Sequence, residues 1–124
     1  MILCDTNILI EVYSNNQNVI QALTKIGQAE TAISIITSCE LVFGALNKQE
    51  LRKINADLDN IIVLNVNETI GNAANDLMKK YSLSHKLSLP DAFIAATALH
   101  HAIPIYTLNM KDFRFVTGLK FYKP

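Results

Sequence analysis

Asp5, Glu40, Asp91 and Asp112 each stand where an apolar segment begins or ends, and that placement is the first chemical signal in the chain. Carboxylates gathered in one place raise one another's pKa, so a cluster on a largely apolar scaffold is unfavourable unless a cation neutralises it. With only carboxylate, amide and hydroxyl oxygens at hand, the donor set selects a hard divalent ion, Mg2+ or Mn2+. Such ions keep several waters and take one or two carboxylates directly. Zinc is disfavoured, because Cys4 and Cys39 lack CxxC spacing and lie near no histidine pattern. An oxygen-bound ion lowers the pKa of water and clamps the charge that builds on a phosphoryl group under in-line attack. Phosphodiester hydrolysis is the natural reaction, and a small phosphate ester is open to the same chemistry.

Each acid also has a purely structural use. Thr37 and Glu40 match the S/T-x-x-E capping box, Ser88 and Asp91 its looser form, and Asn109 with Asp112 suits a turn. Asp5 suits the cap of the helix after it. The set says more than its members, because four separate caps have no reason to converge.

Convergence depends on the elements that carry them. Met1 to Cys4 is a continuous apolar run that reads as a buried strand, leaving Asp5 at its carboxyl end. Ile8 to Tyr13 predicts a short helix, Ser14 to Gln17 breaks it, and Val19, Ile20, Leu23 and Ile26 recur at helical spacing until Gly27, which makes a helical hairpin. Thr31 to Ile36 is β-branched and predicts a second strand, followed by a helix entered near Thr37 with Glu40 in its first turn and Cys39, Leu41, Val42, Phe43 and Leu46 on it. A helix over Lys48 to Leu58, a third strand over Ile61 to Leu64 and a helix over Asn67 to Tyr81 follow, then a loop from Ser82 to Leu89. Pro90 opens a helix from Asp91 to about His101, Ile103 to Thr107 gives a fourth strand, and Leu119 to Tyr122 a fifth at an edge. Alternating strands and helices predict a parallel sheet with helices on both sides. In such a sheet the acids gather in the crevice outside the strands' carboxyl ends.

A length of 124 residues fits one domain over 1–124, and 50% apolar against 18% charged residues suffices for a buried core. Eleven basic residues balance eleven acidic ones, which removes any polybasic argument for nucleic acid or an anionic membrane. The cations available to a local patch are Lys48, Arg52, Lys53, Lys79, Lys80, Lys86, Lys111 and Arg114, of which Lys79, Lys80 and Lys86 surround the loop before Asp91 while Lys111 and Arg114 flank Asp112. No secretory pattern opens the chain and no apolar run is long enough to span a bilayer, so the expectation is a soluble cytoplasmic protein. Both cysteines are expected in the core, as are Phe43, Phe93, Phe113, Phe115 and Phe121. His100 and His101 are adjacent on a helix and share no face, and His85 stands in a loop, so the three histidines stay outside the candidate site.

Four blocks of sequence now line up in order: Ile2-Leu3-Cys4-Asp5-Thr6-Asn7, Ser34 to Leu41 with Gly44 after it, Asp91 to Ala98, and Thr107 to Phe113. From Ile2 to Phe121 the chain resembles a PIN-domain protein, most closely the VapC-type ribonuclease toxins of toxin-antitoxin pairs. The resemblance implies a three-layer α/β/α sandwich around a parallel sheet of four to five strands, and an endoribonuclease dependent on Mg2+ or Mn2+. It places Asp5, Glu40, Asp91 and Asp112 at the catalytic positions, with Asp5, Asp91 and Asp112 as metal ligands and Thr6, Asn7, Thr107 and Asn109 as supporting polar groups. It further implies a VapB-type antitoxin whose arm crosses the toxin's groove, here between the hairpin Ile8 to Ile26 and the segment Leu41 to Leu58, and a homodimer. The competing expectations are a non-catalytic PIN module that binds protein or RNA, and a metal-dependent nuclease or phosphatase outside such systems.

Overall fold

The computed structural model describes residues 1–124. Its elements run β1 (Ile2–Cys4), α1 (Thr6–Tyr13), α2 (Gln17–Ile26), β2 (Thr31–Ser34), α3 (Ile35–Phe43), α4 (Lys48–Leu58), β3 (Ile62–Leu64), α5 (Glu68–His85), α6 (Leu89–His101) and β4 (Ile105–Tyr106), with 3₁₀ turns at Gln28–Glu30 and Met110–Asp112. Each helix is entered through Asp5, Asn16, Ser34, Asn47, Asn67 or Ser88, whose side chain accepts an otherwise unpaired backbone N–H. No helix is long and apolar enough to cross a membrane.

The four strands are all parallel, in the order β3-β2-β1-β4. Winding proceeds outward from β1 through β2 to β3 and then returns to the other side of β1, so the topological switch point lies between β1 and β4. Successive strand residues face opposite layers. Cys4, Ile33 and Tyr106 pack with Ile8, Val19, Leu41 and Ile54 on one side, while Leu3, Ala32 and Ile105 pack with Ile94, Ala95, Ala98 and Phe113 on the other. A sheet covered on both faces explains why its strands read as unbroken apolar runs. Helix α6 is buried nearly all round, and its alanines let the sheet approach one side and α5 the other, where Ala92 and Ala96 meet Ile70 and Ala74. This is the α/β/α sandwich expected from the sequence.

Several boundaries differ from the sequence reading, each for a local reason. Strand β2 ends at Ser34, not Ile36, because the Ser34 hydroxyl accepts the Ile36 N–H and starts α3 there. Helix entry near Thr37 and the Thr37–Glu40 capping box are therefore incorrect, and Glu40 lies in the second turn. Helix α5 runs a further turn to His85, where Lys86 takes a left-handed φ of 57° and the Leu87 N–H returns to the Tyr81 carbonyl. Most of the expected loop Ser82 to Leu89 is thus helical. The fifth strand shrinks to one parallel bridge, Ile105 to Phe121, because β4 itself is only two residues long.

Phe113 is the largest fully enclosed side chain. Its replacement by Ala is expected to cost about 3–5 kcal/mol. A loss of less than about 1 kcal/mol in the unfolding free energy from urea titration contradicts the packing described.

Candidate active site

The two edges of the switch point are joined by side chains. Asp5 is 6% exposed; its Oδ1 accepts the Thr6 N–H at 2.8 Å and its Oδ2 accepts the Thr107 hydroxyl at 2.8 Å. Thr107 Oγ1 in turn accepts the Asn109 N–H at 3.0 Å, which fixes the chain leaving β4. On the other flank the Thr6 hydroxyl donates to Glu40 Oε1 at 2.7 Å and lies 2.9 Å from Thr37 Oγ1. A chain of hydroxyls and carboxylates thus links β4, β1 and α3 across the carboxyl end of the sheet. Thr37, read from the sequence as a helix cap, belongs to this chain instead. Two threonines at inward positions of apolar segments were the available signal.

Asp91 enters from α6, held in the first turn by the Ser88 hydroxyl, which accepts its backbone N–H at 3.3 Å. Burial pushes the Asp91 carboxyl up to about 6, and Asp5, then Asp112 and Glu40, add to the rise while the Ser88 hydroxyl opposes it. The Asp5 carboxyl is raised as well, first by burial; the bonds from Thr107 and Thr6 lower it, and the charges of Glu40 and Asp112 raise it. All four acids named from the sequence therefore act on one electrostatic centre, although they come from four separate segments. Of the four supporting groups, Thr6 and Thr107 bond directly to the acids, whereas Asn109 contributes its backbone N–H and Asn7 keeps a buried Oδ1 with no partner.

A hard divalent ion fits this donor set. Asp5 and Asp91 are raised, as uncompensated carboxylates are, and Asn7, two residues after Asp5, keeps a buried acceptor without a donor. No three carboxylate, histidine or cysteine side chains stand in a ready-made cage. The expected trio Asp5, Asp91 and Asp112 is accordingly not a closed ligand set as it stands. That arrangement suits an ion that takes one or two carboxylates and keeps its waters.

The surroundings correct further expectations. Cys4 is buried and its thiol is pushed up to about 12 by burial and then by the Asp5 charge, but Cys39 is exposed on α3. Phe43 is 92% and Leu46 85% exposed, so neither belongs to the core. A cavity of about 510 Å³ lies between α1, α3 and α4, lined by Ile10, Tyr13, Leu41 and Ile54 together with Glu40, Glu50 and Lys53. It lies where a groove is expected between the hairpin and the segment after Leu41, but α1 alone of the hairpin lines it, and charged residues share the lining. Lys53, which lines this cavity, also lies 3.4 Å from Asp57 Oδ2 in an exposed pair. The His100 and His101 rings do meet, edge-on at 4.9 Å, but at the end of α6 remote from Asp91.

Fold and crevice together define a PIN domain: residues 2–117 match the PIN-domain family, and the chain belongs to it. Among characterised relatives it is 32% identical to Ribonuclease VapC10 of Mycobacterium tuberculosis, over 97% of this chain and 91% of the relative. Among solved structures it resembles a toxin-antitoxin complex from Klebsiella pneumoniae, with 33% identity, a TM-score of 0.82 and all of both chains covered. It is also similar to VapBC-1 from nontypeable Haemophilus influenzae, with 28% identity and a TM-score of 0.80 over 99% of this chain and 98% of that one.

Proposed function

We propose that this protein is the endoribonuclease toxin of a toxin-antitoxin pair, acting in the cytoplasm on RNA with Mg2+ or Mn2+. The observation that carries the reading is the convergence of Asp5, Glu40, Asp91 and Asp112 at the switch point of a PIN fold, with Asp5 and Asp91 raised. Asp5 and Asp91 would hold the ion directly and Asp112 would complete the set. When bound, the ion lowers the pKa of water and offsets charge on the phosphoryl oxygens. Glu40, oriented by the Thr6 hydroxyl, accepts a proton from the attacking water. Water oxygen bonds to phosphorus, the bond to the 3′ oxygen breaks, and that oxygen takes a proton from solvent, giving 5′-phosphate and 3′-hydroxyl ends. Thr107 keeps Asp5 turned toward the crevice throughout. A non-catalytic module has no use for such a charge cluster.

The groove that includes Glu40, with Phe43 exposed at the end of α3 and Leu46 on the segment that joins α3 to α4, suits an amphipathic arm of a VapB-type antitoxin that covers the acids. A homodimer is part of the same proposal. Incubation of the purified chain with total RNA and Mg2+ tests the activity: cleavage that EDTA stops supports it, and intact RNA under both conditions refutes it. Thr6→Val removes the hydroxyl that holds Glu40 and contacts Thr37 while keeping the side-chain shape. It should slow cleavage about 10–100-fold, the usual cost of losing a group that orients a metal-site carboxylate. Unchanged kcat in that variant argues against the role given to Glu40.

A further inference from the structure

At the carboxyl end of α5, His85 stacks on Phe115 with ring centroids 4.3 Å apart and planes 26° from parallel. Tyr81, itself buried, braces both rings, meeting His85 edge-on at 5.6 Å and Phe115 at 5.0 Å. Ser84 Oγ lies 2.8 Å from His85 Nδ1, which fixes the rotation of the imidazole and leaves Nε2 without a partner in the protein. His85 is exposed and Phe115 half-buried, so the stack is anchored from beneath and open above.

Short lengths of chain link the stack to the acids. His85 leads through the turn Lys86 to Ser88 directly into the first turn of α6, which carries Asp91. Phe115 follows the 3₁₀ turn that ends at Asp112. Both partners therefore continue segments that build the crevice rim. Beside them stand Lys86 and Arg114, both exposed, and Lys80, whose Nζ lies 5.2 Å from the Tyr81 ring centroid. None of these cations is paired: the chain's two ion pairs lie elsewhere, between the Met1 amino group and Glu30 and between Lys53 and Asp57. In a chain of zero net charge, unpaired cations around an exposed aromatic stack form a local site for a polyanion that carries flat rings.

We infer that His85 and Phe115 form a stacking platform for an unpaired RNA base beside the cleavage site, with Lys86 and Arg114 receiving the neighbouring phosphates. The inference deepens the ribonuclease reading and takes the identity of its ligand from it. Single-stranded RNA is the ligand the geometry selects, because bases inside an A-form helix offer no free face to a side chain. Stacking tolerates every base, so the platform fixes where the strand lies rather than which base occupies it.

The test uses a short single-stranded RNA bearing one 2-aminopurine, with Mg2+ and the full-length chain made inactive by Asp91→Asn. Binding should quench the 2-aminopurine. His85→Ser should weaken binding about tenfold and abolish the quench, whereas His85→Phe should stay within about twofold of the parent, the range expected for one stacked base. Phe115→Leu, which keeps an apolar side chain, should lose the quench as well. In the active chain, His85→Ser should raise KM about tenfold and leave kcat within about twofold. Circular dichroism of each variant separates these effects from unfolding. Undiminished binding and quench in a folded His85→Ser variant overturn the platform, as does a parent that binds no RNA. If the active chain cleaves total RNA and His85→Ser leaves KM unchanged, the platform fails and the ribonuclease reading stands. If it cleaves nothing while RNA binding still depends on His85, the platform stands and the ribonuclease reading fails.

Discussion

Asp91→Asn should abolish cleavage and, in EDTA, make the protein more stable. The loss of activity follows from removing a proposed ion ligand and is expected to be about a thousandfold or more, matching the several kcal/mol that a cation's charge stabilisation is worth. The gain in stability follows from the raised carboxyl. With a folded value of about 6 against roughly 3.9 in the unfolded chain, Asp91 is more easily kept neutral in the fold than ionised. Its contribution is fully favourable below the unfolded value and is lost as pH rises through about 6. The two-unit difference corresponds to roughly 3 kcal/mol, reduced to about 1–2 by partial exposure and salt. Thermal melts in EDTA should therefore coincide for parent and variant near pH 4 and diverge by pH 7.5, the variant melting higher. Mg2+ should reverse the order, since an ion that binds only the folded parent stabilises it by mass action. A variant less stable than the parent at every pH contradicts the raised Asp91 carboxyl.

Asp5→Asn should be equally inactive, by about a thousandfold, without becoming more stable. Here the carboxylate is held at both oxygens, by the Thr6 N–H and by the Thr107 hydroxyl. An amide retains one acceptor and presents an NH₂ to the other donor, so relief of a buried charge is offset by a spoiled hydrogen bond, leaving stability within about 1 kcal/mol of the parent. The contrast between two inactive variants, one stabilised and one not, reads out how differently the fold holds the two acids. Cleavage by Asp5→Asn within about tenfold of the parent removes this residue from the chemistry.

The acids were legible because each sits at the edge of an apolar run, and a covered parallel sheet turns such runs into strands whose carboxyl ends share one crevice. Their mutual geometry was not legible, since it depends on side-chain direction: Thr6 and Thr37 reach one another from different elements through hydroxyls that spacing does not reveal. The start of α3 was misread because Ile35 and Ile36 continue a β-branched run while Ser34, one residue earlier, supplies the cap. Phe43 and Leu46 show a different gap. Hydrophobic pattern marks residues that avoid water but does not say whether the core or another chain covers them. His85 and Phe115 were passed over for a related reason, as a loop histidine and a core phenylalanine, until a longer α5 brought their rings together.

The bond from Thr107 to Asp5 closes a span of 102 residues, and it sets the order in which the crevice comes into being. During synthesis Asp5 is made 102 residues before Thr107. A nascent chain therefore carries this acid through those 102 residues with no opposite wall to complete it. A crevice joined across so long a span cannot close on a partial chain: it forms only once β4 has been made and has docked beside β1.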